Sequence, residues 1–76
     1  MQYITNKEIG LMVRKVRKAR KYTQKQLALA AGCGLRFISE LEDGKPTCEI
    51  DKVLRILNTL GIQINLIPPK LESNDE

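Results

Sequence analysis

Three glycines parcel out this chain. Gly32, Gly44 and Gly61 each stand directly after a run whose apolar residues recur at helical spacing. Glycine ends helices because it enters the left-handed backbone region without a Cβ penalty. From Asn6 to Lys21 the residues Ile9, Val13 and Val16 form one apolar stripe, with cations on the other faces. Thr23 followed three positions later by Gln26 is a capping-box signature. It opens a second helix that runs to Ala31 and turns Leu27, Ala28 and Ala31 inward. Gly32-Cys33-Gly34 supplies a turn, and a third helix from Leu35 to Asp43 buries Ile38 and Leu41. After the loop Lys45-Pro46-Thr47, a fourth helix starts at Thr47 or Cys48 and carries Ile50, Val53, Leu54, Leu57 and Leu60. Beyond Gly61 the period changes: Ile62, Ile64 and Leu66 alternate with Gln63 and Asn65, the pattern of a half-buried strand, which Pro68-Pro69 terminates. A lone strand needs a partner, and a second copy of the chain is the leading one. The expected organisation is an all-α four-helix domain over 1–61, a C-terminal dimerisation strand over 62–68 and an acidic, disordered tail over 69–76.

A chain of 76 residues amounts to one small domain. It buries only about 60% of the surface that its unfolded form exposes, so a homodimer is expected. One Phe, two Tyr and no Trp leave an aliphatic core. No run of about 18 apolar residues occurs, and the first residues lack the basic and apolar pattern of a secretion signal, so a cytoplasmic chain without a membrane span is expected. Histidine is absent, and Cys33 and Cys48 lie without CxxC spacing. Neither a metal nor a cofactor is expected, and both cysteines read as reduced small hydrophobes. Acid–base and nucleophilic chemistry usually recruits His, or an activated Cys beside a base, so an enzyme is not expected.

The net charge of +4 is unevenly placed. Arg14, Lys15, Arg17, Lys18, Arg20, Lys21 and Lys25 crowd one segment, with no acid between Ile9 and Ser39. The end of the chain sets Lys70 against Glu72, Asp75 and Glu76. A basic segment suits a polyanion such as nucleic acid, although a solvated helix face accounts for the charge equally well. The layout of helices 2 and 3 decides between these readings. Two short helices joined by a three-residue glycine turn, with apolar residues at every packing position, have the arrangement of the DNA-binding helix-turn-helix. Leu35, Arg36, Ser39 and Glu40 then project away from Ile38 and Leu41 and are the candidate base readers. Arg36 suits guanine, Leu35 a thymine methyl, and Glu40 either cytosine or the orientation of a neighbour. Gln24 sits at the positive end of helix 2, where an amide and free N–H groups can clamp a phosphate. Lys21 and Lys25 lie nearest the groove, while Arg14, Lys15 and Lys18 are read as solvated. Phe37 is read as packed against the body in preference to contact with sugar or base.

The segment Ile9-Gly10, Arg14, Arg17, Thr23-Gln24, Leu27-Ala28, Ala31-Gly32, Phe37-Ile38-Ser39, Leu41-Glu42, Gly44-Lys45 and Leu60-Gly61 resembles the Xre-type, phage-repressor-like helix-turn-helix proteins. The resemblance implies a repressor-like four-helix domain on double-stranded DNA, with Lys45 near the backbone and Gln24 on a phosphate. It also implies a partly buried ion pair between Arg17 and Glu42. Where the family commonly carries Ser or Thr at the cap of the recognition helix, this chain has Gly34. Within the family, the run Leu60 to Leu66 is similar to HipB-type antitoxins. That likeness implies dimerisation through Ile62, Ile64 and Leu66, repression of the chain's own operon, and a HipA-type serine/threonine-kinase toxin as partner. A stand-alone regulator and a strand-donating adaptor are the alternative readings.

Overall fold

A computed structural model describes residues 4–47 and 49–70. It contains four helices: α1 over Asn6–Ala19, α2 over Gln24–Ala31, α3 over Leu35–Glu42 and α4 over Ile50–Leu60. Two capping boxes open the first pair. Thr5 accepts from the Glu8 backbone N–H while the Glu8 carboxylate accepts from that of Thr5, and Thr23 and Gln26 repeat the exchange for α2. Each box satisfies two backbone donors that a helix start otherwise leaves unpaired. Helix α1 packs on α3 and α4, and α2 packs on the same two. Between them lies an aliphatic core built around Val13, Leu27, Ile38, Ile56 and Leu60.

One contact sets the distance between α1 and α3. Gly10 lies directly over the backbone of the last turn of α3, where a Cβ would collide with the Leu41 carbonyl oxygen and stand 3.0 Å from that of Glu42. Only glycine allows that approach.

The structure corrects three expectations. Helix α4 begins at Ile50, later than Thr47 or Cys48. Thr47 instead accepts a hydrogen bond from the Glu49 backbone N–H in the turn before it, and Cys48 lies outside the described residues. The inward face of α4 is Val53, Ile56, Leu57 and Leu60, whereas Ile50 is 62% exposed and Leu54 41% exposed. With apolar residues on more than one side, periodicity alone does not say which side α1 and α2 will cover. No strand occurs among the described residues: residues 62–70 run on after α4 outside any sheet. A strand exists only through ladder bonds to a second strand, and nothing within the described chain supplies one. Ile62 instead packs against the core, and its backbone N–H bonds to the Leu57 carbonyl at 2.8 Å. Ile4, Met12, Ile62, Ile64 and Leu66 help line an open, largely apolar groove of about 290 Å³ beside α1. The end of the expected acidic tail, from residue 71, lies outside the described residues. Among those residues no helix is long and apolar enough to cross a membrane.

Candidate nucleic-acid interface

The turn between α2 and α3 is closed by backbone bonds. Gly32 caps α2 at φ 70°, and the N–H groups of Gly32 and Cys33 reach back to the carbonyls of Leu29 and Ala28. This glycine adopts the left-handed conformation that redirects the chain within a few residues. Gly34 then starts α3 from an extended conformation without a side-chain cap. Ile38 and Leu41 anchor α3 in the core, leaving Leu35 and Arg36 exposed and Ser39 and Glu40 half-buried on its other faces. Phe37 packs partly into the body, and the Lys52 ammonium stands 5.4 Å from its ring centre, within range of a cation–π contact.

Behind the exposed face is a buried polar knot. The Arg17 guanidinium grips Glu42 by two bonds, Nε to Oε2 at 2.6 Å and Nη2 to Oε1 at 3.0 Å, and its Nη1 donates to the Tyr22 carbonyl at 2.8 Å. Gln24 Nε2 donates to Glu42 Oε1 at 3.0 Å. The knot therefore ties the end of α3 to α1 and to the first residue of α2. Burial pushes the Glu42 carboxyl upward, but hydrogen bonds from Arg17 and Gln24 and the charges of Arg17 and Arg14 outweigh it and hold the group below its ordinary range. The hydrogen bond to Glu42 raises the Arg17 guanidinium against the opposing effect of burial. Gln24 thus has a partner that sequence reasoning missed. One of its amide hydrogens is committed to Glu42, and a second remains for another acceptor.

On the solvent side three of the expected contact residues meet. Arg36 Nε and Lys45 Nζ both donate to Glu40 Oε2, at 3.1 Å and 3.2 Å. These bonds, first that from Lys45 and then that from Arg36, hold the Glu40 carboxyl below its ordinary range. Leu35 and Ser39 lie on the same helix. Lys25 is exposed on the first turn of α2, and Lys21 precedes it in the left-handed region at φ 62°. No local sequence signal marks that lysine, because Lys is not a residue that favours positive φ.

A family model described as a helix-turn-helix domain matches residues 10–67. The chain belongs to the helix-turn-helix family. The uncharacterized HTH-type transcriptional regulator y4mF of Sinorhizobium fredii is 52% identical over 65 residues, which are 86% of each chain. The chain is accordingly a helix-turn-helix transcriptional regulator of the Xre type. Among solved structures, a chain of the HipA-HipB-O2-O3 complex is similar with a TM-score of 0.76 and 21% identity, over 92% of this chain and 99% of that one. The restriction-modification controller protein C.AhdI from Aeromonas hydrophila is similar with a TM-score of 0.69 and 22% identity, over 76% of this chain and 88% of that one. At such identity these two share the fold.

Proposed function

We propose that the chain is a sequence-specific repressor that acts as a homodimer and lays α3 in the major groove. Leu35, Arg36 and Ser39 then meet base edges with Glu40 beside them, while Gln24, Lys21, Lys25 and Lys45 meet phosphates. The observation that carries this is the division of labour on α3: one side is sunk in the core by Ile38 and Leu41, and the other presents an exposed Arg36 gathered with Lys45 on Glu40. A two-fold dimer places two such helices about 34 Å apart, one turn of duplex. The apolar side chains of Ile62, Ile64 and Leu66 are the proposed dimer contacts. Footprinting on the DNA that precedes the chain's own reading frame tests the docking. Protection of two related half-sites is expected, with log K falling against log salt at a slope near −5 if about six phosphates are neutralised. Absence of protection on any duplex at low salt refutes it. Ile64→Asp is expected to shift sedimentation from dimer to monomer, and a normal dimer rules out that contact.

The finer role we propose is that of a HipB-like antitoxin, which represses its own toxin–antitoxin operon and binds a HipA-type serine/threonine-kinase toxin. It is supported by a fold match that extends over nearly all of a chain from the HipA-HipB-O2-O3 complex. Affinity purification from the native cells decides it. A co-purifying protein with kinase activity that the bound chain suppresses supports the antitoxin, and recovery of the chain alone leaves a stand-alone regulator.

A further inference from the structure

We infer that Glu40 is a positioning residue for base reading, which acts by setting Arg36 and Lys45 relative to each other and not by contact with a base of its own. The inference rests on the docking of α3 proposed above.

The charges of α3 are placed against its own stability. Its single cation, Arg36, stands in the first turn, and its acids, Glu40 and Glu42, stand toward the end. A helix dipole favours the opposite arrangement, and an arginine N-terminal to a glutamate at four residues' spacing is the weaker order of such a pair. Glu42 is explained by the buried Arg17 and Gln24 that bind it. Glu40 has no such buried partner. What it gathers is Arg36 from its own helix and Lys45 from the loop that follows, both on the same carboxylate oxygen.

The geometry points to a function for this gathering. With Nε held by Glu40, the guanidinium keeps its two terminal nitrogens, the end-on fork that matches O6 and N7 of guanine. Arg36 is 88% exposed along its side chain, so without Glu40 its outer torsions are left largely to solvent. Ordering that side chain before DNA arrives lowers the entropy lost on binding. Lys45, drawn to the same oxygen, fixes the distance between a phosphate contact and the base contact. The arrangement carries a cost of opposite sign, because a carboxylate on a DNA-facing surface repels every duplex regardless of sequence. Glu40 therefore exchanges general affinity for selectivity, and that pairing of effects identifies it. An exposed ion pair contributes little to folding, so substitutions at 40 are expected to leave the domain folded.

The test uses the full chain. A duplex is selected from a randomised pool by the wild-type protein, then measured with each single base-pair variant and with an unrelated duplex. Glu40→Ala is expected to lose about tenfold discrimination at the base pair that Arg36→Ala also affects. It is also expected to tighten binding to the unrelated duplex by about threefold. In the double variant it should add no further loss of discrimination to that of Arg36→Ala. Glu40→Gln keeps a carbonyl that can accept from Nε and should fall between wild type and Glu40→Ala. A changed preference at a base pair that Arg36→Ala leaves alone makes Glu40 a direct reader and overturns the proposal, as does full discrimination in Glu40→Ala. If Arg36→Ala changes no preference at all, the docking of Arg36 itself is refuted, and Glu40 has no reader to position.

Discussion

Among the described residues the molecule holds two arginine–glutamate pairs of the same chemistry and opposite character. Arg17 and Glu42 are 10% and 2% exposed along their side chains and sit in a hydrogen-bonded knot that joins three helices, while Arg36 and Glu40 are 88% and 34% exposed, and Glu40 also accepts from Lys45. In the first pair each charge has lost its water, so each depends on the other, and removing one strands its partner. In the second, water still reaches both charges, so the pair adds little to folding and the terminal nitrogens of Arg36 stay open to another partner. Burial, and not the residues themselves, makes one pair structural and leaves the other open to solvent.

That contrast breaks most easily at the buried pair. Arg17→Met is expected to destabilise the domain by about 3–5 kcal/mol, read by urea or thermal unfolding, because Glu42 is left buried beside an apolar side chain. Replacing both, as Arg17→Met with Glu42→Leu, should recover much of the loss. A single variant as stable as wild type removes the distinction. The same pair has a pH signature. Glu42 is held below its ordinary value of 4.5, so its contribution is complete above that value and is lost as pH falls through the lower folded one. Glu42→Gln should lose that acid limb of the stability curve, whereas Glu40→Gln should keep it.

Gly10→Ala tests the seam from its backbone side. Helix propensity alone predicts a gain of about 1 kcal/mol, yet the collision with the end of α3 should produce a net loss of about 3 kcal/mol. Arg36→Ala sharpens the comparison in the other direction. Unfolding should be unchanged, while discrimination at one base step falls by about 1–3 kcal/mol in binding assays with single base-pair variants. The smallest effect is expected at Lys21, whose left-handed backbone is unfavourable for any residue with a Cβ. Lys21→Gly should stabilise the domain by about 0.5–1 kcal/mol. The same variant should reduce the salt slope of DNA binding by about 1 if the lysine meets a phosphate.

The parts of this molecule that are local were legible in the sequence. The capping box at Thr23 and Gln26, the turn at Gly32 and the inward pair Ile38 and Leu41 depend on residues three or four positions apart, and periodicity reports such spacings. Ile56 escaped that reading. It shares α4 with Ile50 and Leu54, and only the placement of the neighbouring helices decides which of the three is covered. Gln24 shows the limit at the interface. Its position at the start of α2 suggested a free amide for phosphate, but its bond to Glu42 spans 18 residues and has no local signature. The alternation after Gly61 is a real pattern in the sequence, and within the single described chain it produced a segment outside any sheet. Alternation reports which side chains want cover, and it carries no information about where a second strand comes from.

Gly34 has a mechanical consequence. The first turn of α3 has no side-chain cap, and the space around that glycine is open, with nothing within 4 Å of where a Cβ would stand. Ile38 and Leu41 clamp the helix farther along. In the docking proposed above, the tip that would lead into the duplex is therefore the least braced part of α3, with room to adjust to a groove slightly wider or narrower than ideal while the body keeps its shape.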